Sequence, residues 1–133
     1  MTFLYLDTSA LLKLCRREAE SVALTGWLFD HPSDWVTSAL TEIELNRAVA
    51  RVDAAALVHV PGVLARCDRL EIDARIRADA AELAPPELRS LDAIHLATAL
   101  ELSNDLAALL TYDIRLGKAA ESMGLVVKAP AAE

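Results

Sequence analysis

Short apolar runs alternate along the chain with longer segments that have helical periodicity. The apolar runs are typical of strands buried on both faces of a sheet. Five strands are predicted, at residues 2–6, 35–37, 69–72, 107–111 and 125–128. Because parallel neighbours need crossover helices between them, this alternation indicates an α/β protein with a mostly parallel sheet.

Segments with helical periodicity fill the intervals between the strands. Proline and glycine mark several of their ends: Pro32 follows the second helix, Pro85 follows the fifth, and Gly124 is a left-handed cap for the last. Pro61 and Gly62 predict a kink or a break within the fourth helix. The predicted helices cover residues 8–17, 20–29, 39–52, 54–67, 75–83, 91–102 and 114–123.

The pattern contains no repeat, no low-complexity tract and no internal linker. We therefore expect one domain over residues 1–133, with 129–133 as a flexible tail. No apolar run approaches the roughly 20 residues that span a bilayer, and no signal-like basic segment precedes the first strand. These features predict a cytoplasmic protein that is not inserted in a membrane.

The charge balance counts against indiscriminate binding to nucleic acid. Twenty acidic and thirteen basic residues give a formal net charge of −7, which repels a polyanion. Ten of the basic residues are arginines, however, and the guanidinium group binds phosphate in a bidentate way. A locally basic surface is therefore compatible with this composition.

The two cysteines, Cys15 and Cys67, each lie in a segment with a helical pattern. Two cysteines do not make a disulfide framework, and buried thiols in a reducing cytosol fit their positions better. A single bridge between them stays open as an alternative.

Four acidic residues stand where a strand ends or a helix begins. Asp7 directly follows the first strand and Asp113 follows the fourth, while Glu44 and Asp92 lie near the starts of two helices. In open parallel sheets, ligands bind outside the carboxyl ends of the strands. In a doubly wound sheet, all four acids would therefore approach one edge.

Each position also has a purely structural explanation, because acids and hydroxyls near a helix N-terminus satisfy free N–H groups. Asp7 and Asp113 are candidate N-caps of the helices that follow them. Thr41 and Glu44 match a capping box, and Ser90 is a candidate cap for the next-to-last helix.

A joint interpretation of the four acids points to a metal site. Carboxylates that meet within a few ångströms repel one another and ionise fully only beside a compensating cation. A cluster of oxygen ligands without cysteine or suitably spaced histidine favours Mg²⁺ or Mn²⁺ over zinc. Such ions keep bound waters and accept phosphate oxygens.

Four segments carry a resemblance to a known family. They are YLDTSALLKL, TSALTEIELNRA, LRSLDAIHLATAL and LLTYDIRLGKAAESMGL, in this order and at these separations. Over nearly its whole length the chain resembles the PIN-domain ribonucleases, and most closely the VapC toxins of toxin-antitoxin pairs.

This resemblance implies a PIN-like three-layer α/β sandwich with a central parallel five-stranded sheet in the order 3-2-1-4-5. It implies an endoribonuclease that holds Mg²⁺ or Mn²⁺ through Asp7, Glu44, Asp92 and Asp113 and cleaves RNA with a metal-activated water. It also implies a homodimer, and a small antitoxin partner that inserts a helix or tail into a hydrophobic groove.

The assignment of Glu44 depends on the family pattern. Glu42 and Glu44 both lie at the margin of an apolar stripe, so helical spacing does not choose between them. The family has an acid six residues after the serine at the strand end, here Ser38, and an apolar residue follows it, here Leu45. Many relatives carry one more acid where this chain has Arg115, and the form T-Y-D-x-R-L looks like one VapC subgroup.

Three neighbouring polar residues are candidates for smaller roles. Ser9 and Thr111 could orient water or phosphate, the alternative being turn or capping hydroxyls. His95 stands one turn beyond Asp92. We expect it to be hydrogen-bonded in the core, because no second histidine lies at ligand spacing.

Four arginines follow or flank the proposed acids and are candidate RNA contacts: Arg16, Arg17, Arg47 and Arg115. For Arg47, an ion pair with Glu44 at (i, i+3) spacing is an equally good explanation. Apolar side chains of the first two helices form a helix-pair surface that we expect to lie mostly in the core: Leu11, Leu12, Leu24, Trp27 and Leu28. Any that stay exposed would form a groove for a partner helix.

Two other functions stay open. A receiver-like signalling domain also places acids and Mg²⁺ at strand ends. It normally has a second acid beside that of the first strand and a lysine after the last, whereas here Asp7 follows Leu6, and Lys128 lies near the chain end. The other alternative is a catalytically silent PIN fold that acts as an interaction module.

Overall fold

The centre of the molecule is a sheet of five parallel strands in the order β3-β2-β1-β4-β5. The computed structural model describes residues 2–131. The strands are β1 (Phe3–Leu6), β2 (Asp34–Ser38), β3 (Cys67–Leu70), β4 (Leu106–Leu110) and β5 (Val127–Lys128). The expected α/β class and strand order 3-2-1-4-5 are therefore confirmed.

Helices connect the strands and cover both faces of the sheet. The α-helices are α1 (Thr8–Cys15), α2 (Ser21–Asp30), α3 (Leu40–Val52), α4 (Val60–Ala65), α5 (Ala74–Glu82), α6 (Ser90–Leu102) and α7 (Ile114–Ser122). Two short 3₁₀ helices, Ala54–His59 and Ser103–Asp105, lie before α4 and before β4. Among the described residues, no helix has both the length and the apolar character needed to cross a membrane.

Alternate side chains of β1 point into two separate cores, as expected for a strand buried on both faces. On one face, Leu4 and Leu6 lie in a core that includes Leu45 of α3. On the other face, Tyr5 lies in a core that includes Leu96 of α6. The sheet is thus the middle layer of the three-layer sandwich that the resemblance implies.

The segment predicted as one helix at 54–67 is a 3₁₀ helix, then α4, then the start of β3. Pro61 lies in the first turn of α4, where a missing N–H costs no helical hydrogen bond. It therefore begins a helix and does not kink one. Cys67 pairs with Trp35 in the sheet, so β3 begins before the predicted position 69.

Two of the expected helix caps are confirmed and two are wrong. Asp7 caps α1 and Asp113 caps α7 by accepting hydrogen bonds from backbone N–H groups. α3 and α6 begin without a side-chain cap bond, so neither Thr41 nor Ser90 acts as a cap. The buried Thr41 hydroxyl lies 2.8 Å from that of Thr37. The acids near these two helix starts therefore have no capping role.

Cys15 and Cys67 are buried free thiols. Burial raises the pKa of each thiol to about 11. The expectation of buried thiols is confirmed, and the alternative of a bridge between them is wrong.

The chain after α7 turns at Gly124, whose φ of 86° lies in the left-handed region, as predicted. The predicted tail is held at one point, because the Tyr112 hydroxyl donates a hydrogen bond to the carbonyl of Pro130 at 2.6 Å. The rest of the predicted tail at 132–133 lies outside the described residues.

Candidate active site at the carboxyl edge of the sheet

Four carboxylates from four separate segments line one cavity of about 360 Å³. Asp7 and Asp113 follow the carboxyl ends of the adjacent strands β1 and β4. Glu44 reaches the cavity from α3 and Asp92 from the first turn of α6. The structure therefore brings together all four acids that the sequence singles out.

Asp7 is the most buried of these acids, with 3% of its surface exposed. Its Oδ1 accepts hydrogen bonds from the Ala10 N–H at 3.0 Å and the Ser9 hydroxyl at 2.7 Å, and its Oδ2 accepts one from the Thr111 hydroxyl. Burial raises the pKa of the Asp7 carboxyl, and the opposing attraction to His95 and the three donors only reduces this shift. The charged form of Asp7 is therefore held at a cost.

The hydroxyls of Ser9 and Thr111 make hydrogen bonds that hold the turns after β1 and β4. Besides donating to Asp7, the Ser9 oxygen accepts from the Tyr112 N–H at 2.9 Å, and the Thr111 oxygen accepts from the Asp113 N–H at 3.0 Å. This geometry corresponds to the alternative of turn hydroxyls. Its effect on the site is to give the Asp7 carboxylate one orientation.

Glu44 lies in the cavity and Glu42 does not. Oε1 of Glu44 accepts from the Thr8 hydroxyl at 2.7 Å and faces Nε2 of His95 at 2.6 Å. Burial alone would raise the pKa of Glu44, but the hydrogen bonds from His95 and Thr8 outweigh it and lower the pKa. Glu42 is exposed and pairs with Arg69 of β3 at 2.7 Å.

His95 connects Glu44 to the core of the protein. It is 4% exposed, and its Nδ1 lies 2.7 Å from the hydroxyl of the fully buried Tyr5. Both ring nitrogens of His95 thus have a hydrogen-bond partner, Tyr5 at Nδ1 and Glu44 at Nε2. The prediction of a hydrogen-bonded core histidine is confirmed. The structure adds that His95 contacts the Glu44 carboxylate and so restricts its orientation in the cavity.

Arg89 is the residue of this cavity that the sequence analysis missed. Its Nε lies 3.0 Å from Oδ2 of Asp92, and its terminal nitrogen lies 3.0 Å from Oδ2 of Asp113. One guanidinium group thus bridges two of the four carboxylates. The pair with Asp92 has (i, i+3) spacing, which is a weak local signal, whereas Asp113 is 24 positions away and gives no signal in the sequence.

The donor set fits a hard divalent cation, although the acids are not gathered around one point. Over residues 2–131, no three Asp, Glu, His or Cys side chains group closely enough to hold a metal ion. Asp92 and Asp113 share Arg89 as their cation, and Glu44 is turned toward His95. All four acids offer carboxylate oxygens, the donor type that Mg²⁺ and Mn²⁺ prefer.

The four arginines proposed to contact RNA lie outside this cavity. Arg16 pairs with Glu18 and Asp53. Arg17, Arg47 and Arg115 are exposed. Within the described part of the chain, Arg47 makes no ion pair with Glu44, so that alternative is wrong. Arg115 lies two residues after Asp113, and its backbone N–H donates to the Asp113 carboxylate at 2.9 Å.

The helix-pair surface of α1 and α2 is mostly core, as expected. Leu11, Leu24 and Leu28 are buried, and Leu12 and Trp27 are half-buried against them. Leu28 also lines a separate groove of about 600 Å³, together with Phe29, which is 85% exposed, and Trp35 under the guanidinium of Arg66. An open groove with apolar walls therefore lies beside this surface.

The parallel order 3-2-1-4-5, with acids after the carboxyl ends of the adjacent strands β1 and β4 and near the N-termini of α3 and α6, defines a class of domain. Residues 4–122 match the PIN domain family, and the chain belongs to that family. Its relatives narrow the class to the VapC proteins. The chain is 57% identical to Ribonuclease VapC35 of Mycobacterium tuberculosis over 130 residues, which cover 96% of each chain. It is 46% identical to Ribonuclease VapC46 of the same organism over 131 residues, which cover 98% of this chain and 99% of that one.

Solved structures show the same fold at lower identity. VapC20 of Mycobacterium tuberculosis, described as a sarcin-ricin loop cleaving toxin, superposes with a TM-score of 0.74 at 15% identity over 92% of this chain and 96% of that one. A toxin-antitoxin complex from Klebsiella pneumoniae gives a TM-score of 0.68 at 20% identity over 98% and 99%. The PIN-like fold that the sequence implies is therefore confirmed.

Proposed function

We propose that this protein is the toxin of a toxin-antitoxin pair and a cytoplasmic endoribonuclease that depends on Mg²⁺ or Mn²⁺. The observation that carries the proposal is the meeting of four acids from four separate segments in one cavity. The relatives at 57% and 46% identity are named ribonucleases, which supports RNA as the substrate.

In this proposal Asp7, Glu44, Asp92 and Asp113 hold the divalent ion. When bound, the ion supplies positive charge to the scissile phosphate and lowers the pKa of the attacking water. The raised pKa of Asp7 supports the assignment, because burial without a cation disfavours its charged form. A nucleophilic side chain is not required for this chemistry.

The surrounding residues give the acids their orientation. Ser9 and Thr111 hold both oxygens of Asp7, and His95 holds Glu44 against the core. Pre-oriented ligands reduce the ordering that ion binding would otherwise demand. Any further role of Ser9 and Thr111 in placing water or phosphate belongs to the same proposal.

Arg115 is the best placed of the four arginine candidates for binding RNA. Its backbone is joined to Asp113 and its side chain is exposed, next to a groove that Lys118 also lines. In this proposal Arg115 and Lys118 bind a backbone phosphate of the RNA in that groove. Arg16, Arg17 and Arg47 stay candidates for RNA contacts outside this groove.

An antitoxin partner is supported by what the structural neighbours contain. They include a toxin-antitoxin complex from Klebsiella pneumoniae and VapBC2 of Rickettsia felis, the latter bound to promoter DNA. The groove beside Leu28 and Phe29 offers apolar walls for a helix or tail of such a partner. Homodimerisation stays a prediction from the family resemblance.

Of the two alternative functions, the receiver-like domain is excluded and the catalytically silent PIN module stays open. The strand order 3-2-1-4-5 differs from the 2-1-3-4-5 order of receiver domains, and the chain belongs to the PIN family, so the receiver-like alternative is wrong. A catalytically silent PIN module stays as the second candidate. The bridging of Asp92 and Asp113 by Arg89 is the observation that favours it.

RNA cleavage by matched variants tests the proposal. Purified wild-type protein should cleave a mixture of tRNA and rRNA in Mn²⁺ and stop when a chelator is added. We expect Asp92→Asn and Glu44→Gln to lose at least about 100-fold in rate, more than the 10- to 100-fold typical of residues that only support metal ligands.

Glu42→Gln is the matched control, because Glu42 lies on the same helix but outside the cavity. It should keep the wild-type rate. Identical RNA ends from wild type and Asp92→Asn after a brief pulse of expression would contradict the proposal and favour the silent module.

A further inference from the structure

Arg89 has two properties that differ from those of an ordinary surface arginine. It is the single Lys or Arg side chain among the described residues that line the acidic cavity. Its two ion pairs go to carboxylates that belong to different helices, Asp92 in α6 and Asp113 at the start of α7. The guanidinium group therefore neutralises two acids that would otherwise face each other.

Arg89 binds the oxygen of Asp113 that the cap of α7 leaves without backbone hydrogen bonds. Oδ1 of Asp113 already accepts the N–H groups of Arg115 and Leu116 and so caps α7. Only Oδ2 is free of backbone bonds, and Oδ2 is the atom that Arg89 contacts. An ion could take this oxygen without opening the helix cap, and it would compete there with Arg89.

The side chain of Arg89 can leave the two carboxylates while its backbone stays in place. Its carbonyl accepts the Ala93 N–H at 2.9 Å, so the backbone is fixed at the start of α6. Its side chain is 59% exposed. The guanidinium group can thus turn outward on a fixed backbone without disturbing the core. Its bond to Asp113 is exposed, and ion pairs of that kind are individually weak, whereas its bond to Asp92 is part-buried.

We propose that Arg89 is an exchangeable internal cation: it neutralises Asp92 and Asp113 while the divalent ion is absent, and it binds an RNA phosphate once the ion has taken those carboxylates. This inference rests on the proposed divalent-ion site. It makes Arg89 a positioning residue for the substrate, because the ion that binds near the scissile phosphate also releases the guanidinium to the same place.

The test compares wild type with Arg89→Gln by titration with Mn²⁺ alone, following free Mn²⁺ by electron paramagnetic resonance. Arg89→Gln should bind Mn²⁺ roughly threefold or more tightly, because two ion pairs no longer compete with the ion. Arg115→Gln is the control for loss of a nearby arginine charge in this titration, since Arg115 lies two residues after Asp113 and, among the described residues, its side chain has no ion pair with a carboxylate of the cavity.

The second measurement is RNA cleavage at saturating Mn²⁺. Arg89→Gln should raise KM several-fold more than it lowers kcat, because the released guanidinium is absent while the ion site is full. Arg75→Gln is the control here: it removes another arginine with an ion pair of 3.0 Å, to Glu101, far from the four acids in the fold. It should keep wild-type KM and kcat.

The outcomes separate the inference from the function on which it rests. Equal Mn²⁺ affinity in wild type and Arg89→Gln would overturn the exchange while leaving the ion site intact, and so would equal tightening by Arg115→Gln. An unchanged KM would overturn the phosphate contact. If no variant binds Mn²⁺, the proposed function itself fails.

Discussion

Asp7 serves the fold and the site with one carboxylate. Its side chain caps α1 by accepting a hydrogen bond from a backbone N–H. The same side chain is only 3% exposed and lines a cavity with three other acids. Burial raises its pKa, so the folded protein holds the proton of Asp7 more tightly than the unfolded chain does. The ionised Asp7 therefore lowers the stability of the fold at neutral pH, and a bound cation would stabilise that charge.

This conflict predicts a pH-dependent effect of Asp7→Asn. An acid with a raised folded pKa destabilises the fold as pH rises from its unfolded pKa, about 3.9, through the folded value. With chelator present, Asp7→Asn should melt at a higher temperature than wild type at pH 7, and the difference should shrink toward pH 4. Asp79→Asn, at an exposed position of α5, controls for the loss of one charge. A constant difference across pH would contradict the argument.

The buried chain of Tyr5, His95 and Glu44 gives a second prediction at the level of single residues. Tyr5→Phe removes the hydroxyl that satisfies Nδ1 of His95 and leaves a buried polar atom without a partner. We expect a loss of about 1–3 kcal/mol in the free energy of unfolding, measured in urea. Tyr112→Phe removes the half-buried hydroxyl that bonds Pro130 and should cost less. Equal losses would contradict the role of burial.

Among the elements, α6 does the most to build the site. It carries Asp92 and His95, and most of its surface is buried between the sheet and α5. Its apolar pattern all round predicts this burial. The helix is therefore held by packing, and the packing fixes where its two polar side chains emerge.

A matched pair of substitutions within α6 tests this dependence. Leu96 is fully buried, so Leu96→Ala should lower the free energy of unfolding by about 2–5 kcal/mol through lost packing and a cavity. Leu91 is 48% exposed in the same helix, and Leu91→Ala should change stability by no more than about 1 kcal/mol. The measurement is urea unfolding. Similar losses for both would show that the core does not hold α6.

The sequence predicted elements best where pattern and length agreed. α3, α6 and α7 lie close to the predicted bounds, because each has a sustained periodicity and a clear end. The segment at 54–67 is broken just before Pro61, as one of its two predicted alternatives had it, but its last residue belongs to β3 and not to a helix. Pairing of Cys67 with Trp35 decided the boundary, and it is a tertiary contact.

At the scale of the whole molecule, the site exists only in the folded chain. The strand order reverses beside β1, whose neighbours are β2 and β4, and this reversal opens the crevice at their carboxyl ends. The acids come from both ends of the chain, from Asp7 to Asp113. An unfolded chain would have no comparable site for an ion.

This separation predicts that ion binding stabilises the whole fold. Mn²⁺ should raise the free energy of unfolding, measured in urea, by about 2.7 kcal/mol when its concentration is 100 times the dissociation constant, and the urea midpoint should rise with it. Chelator should reverse the gain. Asp113→Asn should lose most of it, while Glu42→Gln, outside the cavity, should keep it. A midpoint that Mn²⁺ leaves unmoved in wild type would contradict a site shared by these acids.

The sequence alone determined the strands, most helices, the four acids and the family, because these depend on local periodicity and on short motifs. Helical spacing did not separate Glu44 from Glu42, since it places both at the edge of one stripe, and only the family pattern favoured Glu44. The tertiary structure decided that point, and it decided two contacts that no local pattern encodes. His95 meets Glu44 across 51 positions of the chain, and Arg89 meets Asp113 across 24. Such pairs arise only when β1, α3, α6 and α7 pack together, because packing sets the distances between side chains that the sequence keeps apart.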